Sequence, residues 1–415
     1  MTIRRTIRGI PHPLTAFALA LACALPAHGA EEDLKDHRAP IVIDFLDGEY
    51  MPAMDGILVT GLHGLLGLLK FTGDGAEFTR FKDIPNADFT ALERWSDGEA
   101  LLGSSDAKIY VFDGQKLTET ATLSEYHEPV LDIAAANGTA WAGGGRGMLS
   151  TSKDGRTWTT VEIGEATQPQ LTFPGTEAGD WYFGVGNMNL DSVVFTANVG
   201  GKPAVADTDY TLYPDEGFIQ FIKALDAEPA PTIGFKFAPG PAFRAGDVSW
   251  NAVLFDGNSL TLAGEFGMVL QSQDGGQTWV RRDARMTQRE PEPPYWMAGT
   301  QKDQSIYLVG AAGAMRASHD GGVTWSQLPA PGNEGVFGVT VTADGKPVVT
   351  GAVGLIGSLD GETWSVADRS ELQLLSWLRT LVEMPDGTLI ALGGRSTVIA
   401  FKDGKWSRVP VTVKE

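Results

Sequence analysis

Cysteine is almost absent from this 415-residue chain, the single thiol being Cys23 near the start. One thiol forms no internal disulfide, and it leaves no Cys-rich zinc cluster to expect. Histidine is as scarce: His12, His28, His37, His63, His127 and His319 are the whole set, and no two stand at helical metal-ligand spacing. A metal site is therefore not expected, and no cofactor is called for. Basic charge is short as well, with 32 Lys and Arg against 52 Asp and Glu, a net charge of −20. Such a field repels phosphate backbones and argues against nucleic acid as a partner. Long apolar runs are missing too: Leu14 to Leu25 is about 12 residues, too short to span a bilayer as a helix. No Gly-x-Ser-x-Gly elbow, phosphate loop or dinucleotide fingerprint occurs.

The first thirty residues read as a cleaved export signal. Arg4, Arg5 and Arg8 open it, the apolar run follows, and Ala24 to Ala30 supplies small residues for cleavage. Thr-Ile-Arg after Arg4-Arg5 is a poor twin-arginine match. Lipid attachment at Cys23 is disfavoured because Ala20 stands where a branched apolar residue is wanted. Removing 1–30 takes away three Arg and no acid, leaving 29 basic against 52 acidic residues, or −23. The expected location is periplasmic or secreted, with no membrane span in the mature chain.

What is abundant is glycine, at 51, and tryptophan, at 11, with 43% hydrophobic and only 20% charged residues. That mixture fits short strands joined by tight turns. One pattern recurs seven times: a Gly-containing hairpin, an alternating apolar strand, then Asp-Gly and usually an aromatic residue. The clearest copies are Ser152 to Trp158, Ser272 to Trp279, Ser318 to Trp325 and Ser358 to Trp364. They carry Asp154, Asp274, Asp320 and Asp360, with Trp158, Trp279, Trp325 and Trp364. Weaker copies lie at Asp74, Asp113 and Asp403. The seven Asp positions are spaced by 39, 41, 120, 46, 40 and 43 residues. A Gly-rich tetrad keeps step about ten residues upstream of each, from Gly61-Leu62-His63-Gly64 to Gly393-Gly394-Arg395-Ser396. Two markers in register imply a four-stranded antiparallel unit that stacks on its neighbours. The predicted class is all-β: a seven-bladed β-propeller with an inserted small β module.

Ser-x-Asp-x-Gly-x-Thr-Trp resembles the Asp-box of bacterial neuraminidase (BNR) repeats. Together with the upstream Gly-x-x-Gly it looks like the photosystem II stability and assembly factor-like propellers, over about 49–163 and 248–409. The resemblance implies that the four Asp are structural turn residues remote from any active site. It also implies a protein-binding role.

Trp158 and Trp279 stand 121 positions apart where one repeat takes about forty. The excess reads as a β-rich insertion at 166–247, between blades 1–3 (31–165) and blades 4–7 (248–415). One cryptic blade, making eight, is the alternative. Thr208 to Phe221 reads as strand, acidic turn, strand, and Ile233 to Phe237 as another strand. Ala39 to Asp44 is expected to seal the ring beside Ser407 to Val413.

The enzymatic alternative is a sialidase-like glycosidase or a carbohydrate-binding protein. A sialidase needs an arginine triad, a Tyr activated by a Glu and an acidic proton shuttle. Asp36-His37-Arg38-Ala39-Pro40-Ile41 matches only faintly the segment that supplies the first such Arg, and no Tyr/Glu pair stands out. No catalytic residue is assigned. Binding residues are expected on the face of the hairpin tips, at His63, Arg146, Phe266 and Arg395. The loop Arg281, Arg282, Arg285 and Arg289, with Tyr295 and Trp296 after it, is expected to be the docking patch. The partner is expected to be protein, as in a membrane or envelope complex.

Overall fold

The computed structural model describes residues 43–73, 75–239, 248–289 and 292–414. The export signal, Cys23, Asp36 to Ile41, Asp74 and Pro291 lie outside the described residues. Within them the chain forms strands and single 3-10 turns, with no α-helix.

Seven sheets repeat along the described chain, at 47–80, 89–122, 130–160, 250–281, 296–327, 336–366 and 378–408. Each is an antiparallel meander whose strands neighbour one another in chain order. Each first strand packs on the first strand of the next sheet, and the last of them packs on the first. The fold is a β-propeller. Second strands such as Gly56–Thr60 (GILVT), Leu260–Gly264 (LTLAG) and Leu389–Gly393 (LIALG) are buried at every residue. They lie between neighbouring sheets on both faces, so their sequences are continuously apolar and do not alternate. Fourth strands such as Thr363–Val366 face solvent.

The expected seal differs from the one found. Residues 39–42 lie outside the described chain, and 43–45 bind the second hairpin of the last sheet instead of a final strand. There the Phe45 amide donates to Gly393 O at 3.2 Å and the Arg395 amide to Asp44 Oδ1 at 2.8 Å. The C-terminal strand Val411–Lys414 runs parallel to Gly75–Arg80, the outermost strand of the first sheet. The reason is edge chemistry: that outer strand would otherwise present unpaired amides and carbonyls.

The insertion continues the fourth sheet. Its strand Ala166–Thr172 lies parallel to Val280–Arg281, so that Met188–Thr196, Thr232–Phe237 and Ala166–Thr172 extend the fourth sheet into seven strands. Gly179–Tyr182, Phe218–Phe221 and Tyr210–Tyr213 form a second, smaller sheet. Phe173, Trp181, Phe183, Phe221 and Phe235 pack in one aromatic cluster that is continuous with Trp250, Leu262 and Trp279 of the propeller.

Both sequence markers are turns at opposite ends of the sheets. In six of the seven tetrads the third residue takes the left-handed conformation: His63 at φ 55°, Arg146 at 49°, Phe266 at 56°, Ala312 at 53°, Val353 at 54° and Arg395 at 59°. The first glycine is required by close approach, since a Cβ on Gly264 would stand 1.9 Å from Ser249 O and one on Gly310 2.1 Å from Tyr295 O. At the other end Asp274 Oδ1 accepts from the amides of Gln277 and Thr278 at 3.1 and 2.9 Å, and Oδ2 accepts from Thr278 Oγ1 at 2.6 Å. Asp320 repeats this with Val323 and Thr324, and Asp154 with Arg156 and Thr157. The donors hold Asp274 and Asp320 down at about 2. Trp158, Trp279 and Trp325 each donate Nε1 to the carbonyl three residues back. Trp279 is buried in the core.

Asp360 departs from its expected role. Its strand ladder continues through Leu359↔Trp364 and Asp360↔Thr363, closing a two-residue turn. The Asp360 carboxylate takes Lys346 Nζ at 3.1 Å and is largely exposed, while Trp364 Nε1 reaches Pro329 O at 2.8 Å.

Candidate functional site

In a four-strand meander the second-to-third hairpins and the sheet-to-sheet connections emerge on one face. The first strands enter the ring from that face, and six of them are bulged at their second residue. The shifts fall between Phe89 and Ala91, Val130 and Asp132, Trp250 and Ala252, Trp296 and Ala298, Val336 and Gly338, and Leu378 and Thr380. A bulge leaves one residue out of the ladder and re-aims its side chain. The residue before each bulge is buried between sheets. The bulged residues Leu131, Asn251, Met297, Phe337 and Arg379 line a cavity of about 390 Å³ with Leu46, Tyr295 and Trp377. The ring therefore has an open mouth, walled mainly by apolar and aromatic side chains. Tyr295 at 41% exposed, Val353 at 61% and Leu375 at 79% lie on this same face, which gives it more apolar surface than the turns require.

One residue deeper the wall becomes polar. A second cavity of about 160 Å³ shares Leu131, Asn251, Met297, Phe337 and Arg379 with the mouth and reaches Asp47, Asp132 and Thr380. Asp47 Oδ2 accepts from the Leu92 amide at 2.9 Å, and Asp132 Oδ2 from the Val253 amide at 2.7 Å. Glu93 Oε1 accepts from the Ala135 amide at 3.1 Å, and Asn251 Nδ2 donates to Trp296 O at 2.7 Å. Each of these bonds ties one sheet to the next, because first strands pair on one side only and their free backbone groups need partners. Arg379 Nη2 crosses to Thr90 O at 3.3 Å.

Crowding in the channel shifts its carboxylates. Burial, then the charge of Asp47, pushes Glu49 up to about 7, against the pull of Arg94. Burial with the nearby Asp47 likewise lifts Asp132 to about 7, although two backbone amides and Arg379 oppose it. Glu93 is raised well above its ordinary value by burial and by Glu49. All four acids come from the first three sheets. Among the described residues no group of His, Cys, Asp and Glu is arranged to hold a metal ion.

The predicted docking patch is divided. Arg281 is 6% exposed and donates Nη1 to Phe183 O at 2.8 Å and Gln168 Oε1 at 3.2 Å, inside the joint between insertion and propeller. Burial lowers its pKa to about 10. Arg282 is half-buried against Gln271 Oε1 at 3.1 Å. Arg285 pairs with Asp283 at 3.7 Å, and Asp283 also takes Arg316 at 3.1 Å. The loop is stitched to the insertion through Tyr182 and Thr287, whose amides and carbonyls pair, and through Gln288 to Glu177. Only Arg285 and Arg289 are exposed. Trp296 is fully buried as the residue before a bulge, so it is core and not a contact residue. Tyr295 does reach the mouth.

The predicted hairpin tips stand on the expected face but outside the mouth. His63 pairs with Asp88 at 3.5 Å, and Arg395 is exposed. Arg146 binds Glu128 at 3.3 Å and covers the Tyr126 ring at 5.7 Å, bordering a separate groove of about 410 Å³. Phe266 is half-buried against the core of the insertion. Sequence reasoning missed Leu46, Leu131, Asn251, Met297, Phe337, Trp377, Arg379 and the four channel acids. A usable signal was present in first strands such as Val-Leu-Asp-Ile-Ala, where a lone acid interrupts an apolar run.

Fold and site together define a β-propeller with an aromatic-walled mouth on its hairpin-tip face. The family model for the photosynthesis system II assembly factor YCF48 matches residues 204–406. The chain resembles that family of assembly-factor propellers. The solved structure of YCF48 bound to D1 peptide is 11% identical, with 86% of this chain and 91% of that chain covered at TM-score 0.52. YCF48 from Cyanidioschyzon merolae is 13% identical, with coverage of 86% and 95% and TM-score 0.52. The WD40 propeller domain of Doa1 is 12% identical, with coverage of 87% and 93% and TM-score 0.52. No curated protein matches the chain.

Proposed function

We propose that this chain is an exported, non-enzymatic propeller that holds a segment of another protein at its mouth, as an assembly or stability factor for an envelope or membrane complex. The observation that carries the reading is the mouth itself, where Tyr295, Phe337 and Trp377 surround an open apolar cavity. Tyr and Trp are the residue types most enriched at interface hot spots, and a closed ring presents them with little ordering cost. The likeness to YCF48, solved with a D1 peptide, supports a protein ligand. Export rests on the pattern of residues 1–30. The glycosidase alternative finds little support: among the described residues the mouth gathers one guanidinium, Arg379, instead of an arginine triad.

The test is site-directed photocrosslinking in the native host, with the crosslinker at Tyr295 or Leu375 on the mouth face and at Val366 on an outer strand. The expected result is one protein partner captured from the mouth face, absent from the outer-strand control, in the envelope fraction. Equal capture from both positions, or none, overturns the reading. Release of sugar from a sialoside would instead establish the glycosidase.

A further inference from the structure

The mouth and the chamber beneath it differ in chemistry, and the difference specifies a ligand. The rim is mainly apolar, whereas the adjoining chamber is lined by Asp47 and Asp132, and Arg379, the one cation among the residues lining either, borders both. Glu49 and Glu93 stand further along the same first strands, and Arg94 beside them is exposed. Two carboxylates thus share the chamber with one guanidinium, and Arg379 already donates to Thr90 O. The geometry points to an apolar peptide segment carrying one lysine or arginine, its hydrophobic side chains against Tyr295, Phe337 and Trp377 and its cationic tip in the chamber between Asp47 and Asp132.

This proposal rests on the protein-binding reading of the mouth. Three observations support it. The two cavities share five lining residues, so a long side chain passes from rim to chamber without crossing a packed layer. A Lys or Arg side chain has the matching form, an apolar stem with a charged end. The acids are short of countercharge: Asp132 accepts from two backbone amides and Asp47 from two amides and Thr380 Oγ1, which leaves each with acceptor capacity for a further donor. A side-chain cation fits better than a metal ion, because no acid group among the described residues has metal-holding geometry.

The experiment measures binding of three short fluorescent peptides with blocked ends, built of Leu, Phe and Ala around one central Lys, Gln or Glu, at pH 8 and low salt. The expected order is Lys tighter than Gln tighter than Glu, with about tenfold between Lys and Gln that shrinks in high salt. The double variant Asp47→Asn with Asp132→Asn removes both charges, leaves one acceptor oxygen at each position for a backbone amide, and, where circular dichroism shows the fold intact, is expected to abolish the Lys preference. Trp377→Ala is expected to weaken all three peptides alike. Equal affinity for the three, or preference for Glu, overturns this proposal and leaves the protein-binding reading standing. Failure of every peptide to bind overturns both.

Discussion

Two walls of one channel share a backbone and differ in chemistry. Sheets one and three line it with Asp47 and Asp132, with Glu49 and Glu93 further along the first strands of sheets one and two, while the fifth and sixth present Ala298, Gly299, Gly338 and Val339. The bulge after a buried residue and the fully buried second strand recur in both walls. Repetition therefore accounts for the scaffold, and the departures from repetition account for the site. Residues that pack between sheets must resemble one another from copy to copy. Residues facing the channel vary from sheet to sheet: Asp47 and Asp132 reach the next sheet's backbone through their carboxylates, whereas Ala298 in the other wall offers no polar atom.

The equivalence of the two scaffolds can be broken first by cavity substitutions. Phe89→Ala in the acidic wall and Trp296→Ala in the neutral wall both remove a fully buried ring at the position before a bulge. Each is expected to cost about 3–5 kcal/mol in urea denaturation. A loss below about 1 kcal/mol at either position shows that the two are not equivalent core sites.

Next comes pH, which should separate the walls. Glu49 and Asp132 have folded-state values near 7, above their unfolded ones. The folded state then holds more protons than the unfolded state between about pH 4 and 7, so their contribution to stability is full below pH 4 and is lost as pH rises through 7. Each group is expected to contribute on the order of 1–3 kcal/mol to that fall. Glu49→Gln and Asp132→Asn should flatten the profile measured by thermal unfolding between pH 5 and 8, whereas Ala298→Ser in the neutral wall should leave its slope unchanged. A slope unaltered by the two acid variants removes the asymmetry.

The smallest effect sharpens the contrast between two turns of equal purpose. Asp274→Ala removes an acceptor from two amides and two hydroxyls, and Asp360→Ala removes only an exposed partner of Lys346. The first variant is expected to lower the melting temperature more than the second. Because Asp274 is held at about 2, its contribution is present above pH 4 and fades as pH falls through 2. Equal shifts for the two variants would place Asp274 and Asp360 in the same structural role.

The sequence by itself determined the repeating scaffold. Tetrad glycines, turn aspartates and buried strands are each specified within about ten residues by φ, by local hydrogen bonds and by burial on both faces. It also marked which face carries the hairpin tips, since that follows from strand count alone. Tertiary structure alone decided the rest. Arg281 reads as part of a basic loop, yet the insertion adds a strand alongside it and buries it, and no local pattern announces a strand that arrives from more than a hundred residues away. Trp296 reads as a contact residue next to Tyr295, yet one register shift sends Trp296 into the core and Met297 to the mouth. The mouth and its acids are assembled from single residues on separate sheets, brought together only when the ring closes. Their chemistry is written in the sequence one residue at a time, and their proximity is a property of closure.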